Sequence, residues 1–185
     1  MATSLIGLFG RNIRRFRGAQ GGSTAVEFAF IAPALIGVLA AIFETALYLF
    51  AQANLQYAAG EAGRQFMTGQ AQNSGMTQSQ FKAVVCPMVQ MIFNCNNLTI
   101  VVQNYSSFAS ASTSAPTLYN SSCQANTASV YNPGTPGNIM VIQLAYAWPL
   151  ITGPLGFTLA NECNGTVEVM GVSAFRVEPY QSSPS

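Results

Sequence analysis

The sequence predicts an α+β protein with a long N-terminal membrane helix, a second short helix and a small antiparallel β-sheet. Three observations predict it. From Val26 to Phe50 only Glu27 and Glu44 are charged. Residues 77–92 place apolar side chains at helical spacing behind a capping signal. Three later stretches alternate apolar and polar residues with β-branched enrichment. A helix laid on an antiparallel sheet buries such faces economically.

The composition narrows the function before any element is placed. Half of the 185 residues are apolar and 7% are charged, against about 25% charged in an ordinary soluble domain. Arg11, Arg14, Arg15 and Arg17 make a basic tip, while the remainder is mildly acidic. A body whose cations are Arg64, Lys82 and Arg176 is a poor nucleic-acid binder, since phosphate affinity needs several Lys or Arg contacts. The chain has no His, no Asp and one Lys. Ser-His-Asp and Cys-His chemistry therefore lack a base. The four cysteines do not show paired zinc-ligand spacing, and there is no P-loop or dinucleotide fingerprint. No catalytic residues, no metal ligands and no cofactor are expected.

The elements follow in order. Residues 1–10 read as a disordered leader. The arginine cluster at 11–17 reads as the cytoplasmic flank that orients a membrane helix. The 25 residues from Val26 to Phe50 span roughly 37 Å as a helix, enough for a hydrocarbon core of about 30 Å. Pro33 removes one backbone donor from this run and marks a kink or a loosened turn. The run is too long for a typical secretory signal, although Ala51-Gln52-Ala53 has the small-x-small form of a signal-peptidase site.

Gly21-Gly22-Ser23-Thr24-Ala25-Val26-Glu27-Phe28 sharpens this picture. A basic leader ending in Gly, four residues, Glu with an aromatic, then a long apolar helix resembles the processing site of type IV prepilins. The form through Ala32-Pro33 is similar to the TadE/TadG-like proteins of the tight-adherence (Tad) pilus. The resemblance implies cleavage between Gly22 and Ser23 by a prepilin peptidase, with Glu27 the fifth mature residue and Phe28 the sixth. A carboxylate near the bilayer is costly unless paired. The new amino terminus at Ser23 supplies a cation for Glu27; headgroup solvation is the plainer alternative. Ile42-Phe43-Glu44 also resembles the family, and Glu44 is expected either to contact a partner helix or to snorkel to the far interface.

Beyond the membrane, Leu55, Ala58, Ala59, Ala62 and Phe66 continue the helical spacing. Gly60, Gly63 and Gly69 weaken the helix or permit close contact, and it is expected to fray between Gly69 and Gly75. Thr77 is the expected N-cap of the second helix, with Gln80 completing a capping box. Pro87 is expected to split that helix after Val85 or Cys86. Four cysteines in an exported domain allow three pairings. Cys86–Cys95 closes a short local loop, Cys123–Cys163 pins a long one, and these two bridges are favoured.

The expected strands are Leu98–Gln103, Ile139–Trp148 and Thr166–Val177. Residues 106–128 read as a Ser/Thr-rich loop, and Pro133-Gly134-Thr135-Pro136-Gly137 as a turn. Tyr146-Ala147-Trp148-Pro149-Leu150 and Phe175-Arg176-Val177-Glu178-Pro179-Tyr180 are similar to segments of one branch of TadE-like proteins.

The expected organisation is a cytoplasmic leader (1–22), a transmembrane helix with its periplasmic extension (23–72) and a periplasmic α+β domain (73–185). The resemblance implies a structural minor pseudopilin in the bacterial inner membrane. Its partners would be a prepilin peptidase, other Tad pilins or pseudopilins and the assembly platform. The rival is a membrane-tethered binding or adhesion protein, released by signal peptidase or not, that uses Tyr131, Tyr146 and Trp148 as a contact surface.

Overall fold

The computed structural model describes residues 22–126, 129–150 and 158–179. The arginine cluster and Tyr180 lie outside them. The chain divides after Ile42 into two compact units. Helix α1 runs Ser23–Met67, α2 Gln70–Asn73 and α3 Gln78–Val89. Strands β1 (Thr99–Tyr105), β2 (Ile139–Pro149) and β3 (Thr166–Arg176) form one antiparallel sheet in the order β1-β2-β3. The α+β class expected from the sequence is the class observed.

The second unit begins inside α1. Ala51, Leu55, Ala58, Ala59, Ala62 and Phe66 are fully buried, the stripe that a 3.6-residue period places on one face. They pack with Ile100, Val102, Met140, Ile142, Leu144, Val169 and Phe175 from one face of the sheet. Two glycines set how closely helix and sheet approach. A Cβ at Gly171 would lie 2.5 Å from the Leu55 carbonyl carbon and 2.8 Å from the Gln56 nitrogen. One at Gly63 would lie 2.8 Å from Ser173 Oγ.

Strand β3 is a sheet edge, and α1 covers it with side-chain amides. Gln52 Nε2 donates to the Met170 carbonyl (2.6 Å), and Met170 N–H donates back to Gln52 Oε1 (3.2 Å). One turn on, Gln56 does the same to Val172, at 2.8 and 2.9 Å. Residues i and i+4 share a helix face, and residues j and j+2 point their backbone groups to one strand edge. Two glutamines thus stand in for two residues of a neighbouring strand. Unpaired edge groups are otherwise a template for aggregation.

Helix α1 ends at Met67, earlier than expected, because Gly69 takes a left-handed conformation (φ 73°) that starts α2. Thr77 and Gln80 form the expected capping box: Thr77 N–H donates to Gln80 Oε1 (2.8 Å) and Gln80 N–H to Thr77 Oγ1 (3.4 Å). Pro87 does not split α3. It sits in the last turn, and both Pro87 and Ala83, whose carbonyl loses its donor, face solvent. Water therefore takes the place of the missing bond. Cys86 bonds Cys95, tying the end of α3 to the approach to β1, and Cys123 bonds Cys163, with Cα–Cα distances of 5.7 and 5.4 Å.

The other sheet face is covered as well. Val101, Val141, Gln143 and Ala145 are buried, although alternation alone would leave this face wet. The Ser/Thr-rich stretch lies over it, with Leu118 buried and Gln143 Nε2 donating to the Ser114 carbonyl at 2.8 Å. Tyr119 pairs with Ala125, and Val130 and Asn132 bond to Val102 on the outer edge of β1. The stretch that reads as a polar loop is the second cover of the sheet.

Candidate functional site

The expected site residues lie at the start of α1. Gly22 is exposed and immediately precedes the helix that begins at Ser23. A methyl group at Gly22 would meet nothing within 4 Å. Glu27 and Phe28 lie on the next turn, both exposed, and Phe28 is accessible over 67% of its surface. Glu44, in the second unit, is half-buried.

From Val26 through Ile42 the large apolar side chains are exposed on every side of the helix, including Phe30, Ile31, Leu35, Ile36, Val38 and Leu39. A helix that is apolar all round belongs in a protein interior or a membrane. This one is not covered by protein, and it is long and apolar enough to cross a membrane. The exposure changes at Ala51, where the buried stripe begins.

The aromatics that would have served a binding surface pack against other rings. Tyr131 packs on Phe66 and Phe81, with centroids at 6.2 and 6.1 Å, and donates to the Met76 carbonyl at 2.7 Å. Burial pushes its hydroxyl pKa up. Phe93 lies edge-on to both Tyr146 (5.0 Å) and Trp148 (5.6 Å). Tyr146 is buried in the core, while Tyr131 and Trp148 are half-buried and packed against it, so the three rings do not form one exposed aromatic surface. Two clefts under the Ser/Thr-rich cover are lined by uncharged residues, among them Thr99, Tyr119, Asn126 and Ala147 in one, Gln103, Ser112 and Gln143 in the other. Among the described residues no group of three His, Cys, Asp or Glu is arranged to hold a metal ion.

Glu168 lies on β3, half-buried. Burial pushes its pKa up, and Glu162 adds to the rise. Its Oε1 is enclosed with no partner. A carboxyl whose folded pKa is raised binds its proton more tightly in the folded state, so folding loses stability as pH rises through that pKa. Glu168→Gln is therefore expected to raise Tm at pH 7, with the gain over wild type shrinking toward about pH 4. A thermal-melt series across pH checks this, and a gain that grows on acidification would contradict it.

The comparisons with known proteins bear on the same stretch. Residues 22–64 match the family model described as TadE-like protein. The match starts at Gly22, spans the apolar run and ends at Arg64 on α1. It bears out the resemblance carried by Gly22, Glu27 and Phe28. No curated protein and no solved structure matches the chain. The matched segment lies wholly in α1 and the residue before it. Sequence reasoning located this segment but missed Gln52 and Gln56. Two amides at i and i+4 after an apolar run were the available signal, and it is a weak one.

Proposed function

We propose that the chain is a minor pseudopilin of a Tad pilus. Helix α1 anchors it in the inner membrane, the arginine-rich leader stays cytoplasmic, and the body folds in the periplasm upon the distal part of α1. A prepilin peptidase cuts between Gly22 and Ser23. The freed amino terminus then pairs with Glu27, in the same chain or a neighbour, as the helix enters an assembly with other pilins or pseudopilins on the assembly platform. The observation that carries this reading is the pairing of a Gly22–Ser23 step with a helix that is apolar and exposed on all sides behind it.

The adhesion reading is weaker on two counts. Its aromatics are split between two ring clusters, Tyr131 on Phe66 and Phe81 and Tyr146 with Trp148 on Phe93, and its release site lies within the packed helix. A cut after Ala53 would strip Ala51 and Gln52 from the body, and with them one of the two glutamine contacts to β3.

Glu27→Ala tests the pairing. Because Glu27 is exposed and distant in sequence from the buried stripe, the variant is expected to fold and to lose its leader normally. Its recovery in sheared pilus fractions should fall roughly tenfold or more, the scale of one lost charge pair near the bilayer. Wild-type recovery would contradict the role given to Glu27.

A further inference from the structure

The outward face of α1 carries a pattern that the sheet does not use. Phe43, Ala46, Phe50, Ala53, Tyr57, Gly60 and Arg64 are separated alternately by three and four residues. That is the a/d spacing of a coiled-coil seam. Large residues occupy one position of each heptad and small ones the other. All seven are exposed, with Phe43 at 71%, Phe50 at 61% and Tyr57 at 67%. A Cβ at Gly60 would meet nothing within 4 Å. The stripe buried against the sheet, Ala51, Leu55, Ala58 and Ala62, lies on the opposite side of the same helix.

Lipid accounts for Phe43 and Phe50, whose neighbours Leu47 and Leu49 are exposed as well. It does not account for the continuation. Past Phe50 the other exposed positions turn polar, yet Ala53, Tyr57 and Gly60 hold the same phase for two further turns. The seam then ends on Arg64, whose side chain is 75% exposed although it meets Glu61 at 3.4 Å.

We propose that this seam receives a parallel helix of a different membrane-anchored subunit. That helix would have small residues facing Phe43, Phe50 and Tyr57, bulkier apolar ones facing Ala46, Ala53 and Gly60, and a carboxylate level with Arg64. The proposal rests on the anchoring given under Proposed function, which makes neighbouring helices parallel. A second copy in register fits poorly. It would set Arg64 against Arg64, stack aromatic on aromatic, and leave voids at the Ala46, Ala53 and Gly60 layers, because parallel helices pair a with a and d with d. Charge and shape both favour an unlike partner in the opposite phase.

The test uses the full chain in its native membrane, with benzoylphenylalanine in place of Tyr57 and, as a control, of exposed Gln70. Irradiation is expected to give an adduct at position 57 and not at 70. Mass spectrometry should identify the adduct as another anchored chain with an acidic residue near the crosslink. Gly60→Leu, whose Cβ meets nothing within 4 Å, should lower the adduct about tenfold without lowering Tm. Arg64→Glu should do the same, and Lys at the partner's acidic position should restore the yield. An adduct to a second copy of this chain, to lipid alone or to nothing overturns the proposal, as does failure of the charge swap. The adducted sample's mass also reports the leader. A processed chain without an adduct overturns the seam and leaves the pseudopilin reading standing. An adduct on an unprocessed chain supports the seam and overturns the processing.

Discussion

Gly171→Ala is expected to cost the body about 3 kcal/mol, at the upper end for overpacking a core, because the obstacle is backbone on both sides. The added Cβ would lie 2.5 Å from the Leu55 carbonyl carbon and 2.8 Å from the Gln56 nitrogen. Neither can rotate away, so α1 and β3 must separate, and the Gln52 and Gln56 bonds on either side of that point must lengthen together. For a body of this size the loss corresponds to a Tm drop of roughly 6–12 °C. Gly60→Ala is the control on the same helix. Its site is open, so the gain in helix propensity should stabilise by up to about 1 kcal/mol. Equal melting of Gly171→Ala and wild type would show that the close approach does not exist.

The double variant Gln52→Ala, Gln56→Ala should lose about 2–3 kcal/mol, less than four full hydrogen bonds because water reaches the Gln56 pair. Its second consequence is qualitative. The N–H and C=O groups of Met170 and Val172 become a free strand edge, so the variant is expected to self-associate where the wild type does not. Light scattering during a thermal melt reads both effects. A stable, monodisperse double variant would mean that the apolar stripe alone holds α1 on the sheet. Each single variant should show about half the loss, since the two amides contact different residues of one strand.

Periodicity made much of this fold legible. The stripe from Leu55 to Phe66, the Thr77–Gln80 capping box and the three strands all have a spacing that the backbone enforces. The same holds for Gly22 to Phe28, where an order of residue types carried the family resemblance. Other features have no spacing of their own. Pro87 breaks a helix in general, and only the solvent exposure of its turn, a tertiary fact, lets α3 continue to Val89. The Ser/Thr-rich stretch covers a sheet face through Leu118, a backbone carbonyl and a disulfide at Cys123, so its composition looks like loop. Gln52 and Gln56 resemble any two polar residues on a helix until an edge strand lies beside them. Tyr131, Tyr146 and Trp148 fit a surface or a core equally well in sequence; packing on Phe66, Phe81 and Phe93 buries Tyr146 and leaves Tyr131 and Trp148 half-buried at the margin of the core.

The central claim is that the functional part of this molecule is α1 and the bond before it. Intact mass of the protein from cells with and without an active prepilin peptidase tests it most directly. The account predicts a chain shortened by residues 1–22 only when the peptidase is active, and full length for Gly22→Ala, a change the fold accommodates because nothing lies within 4 Å of the added methyl. An unshortened wild-type chain in the presence of active peptidase would contradict it.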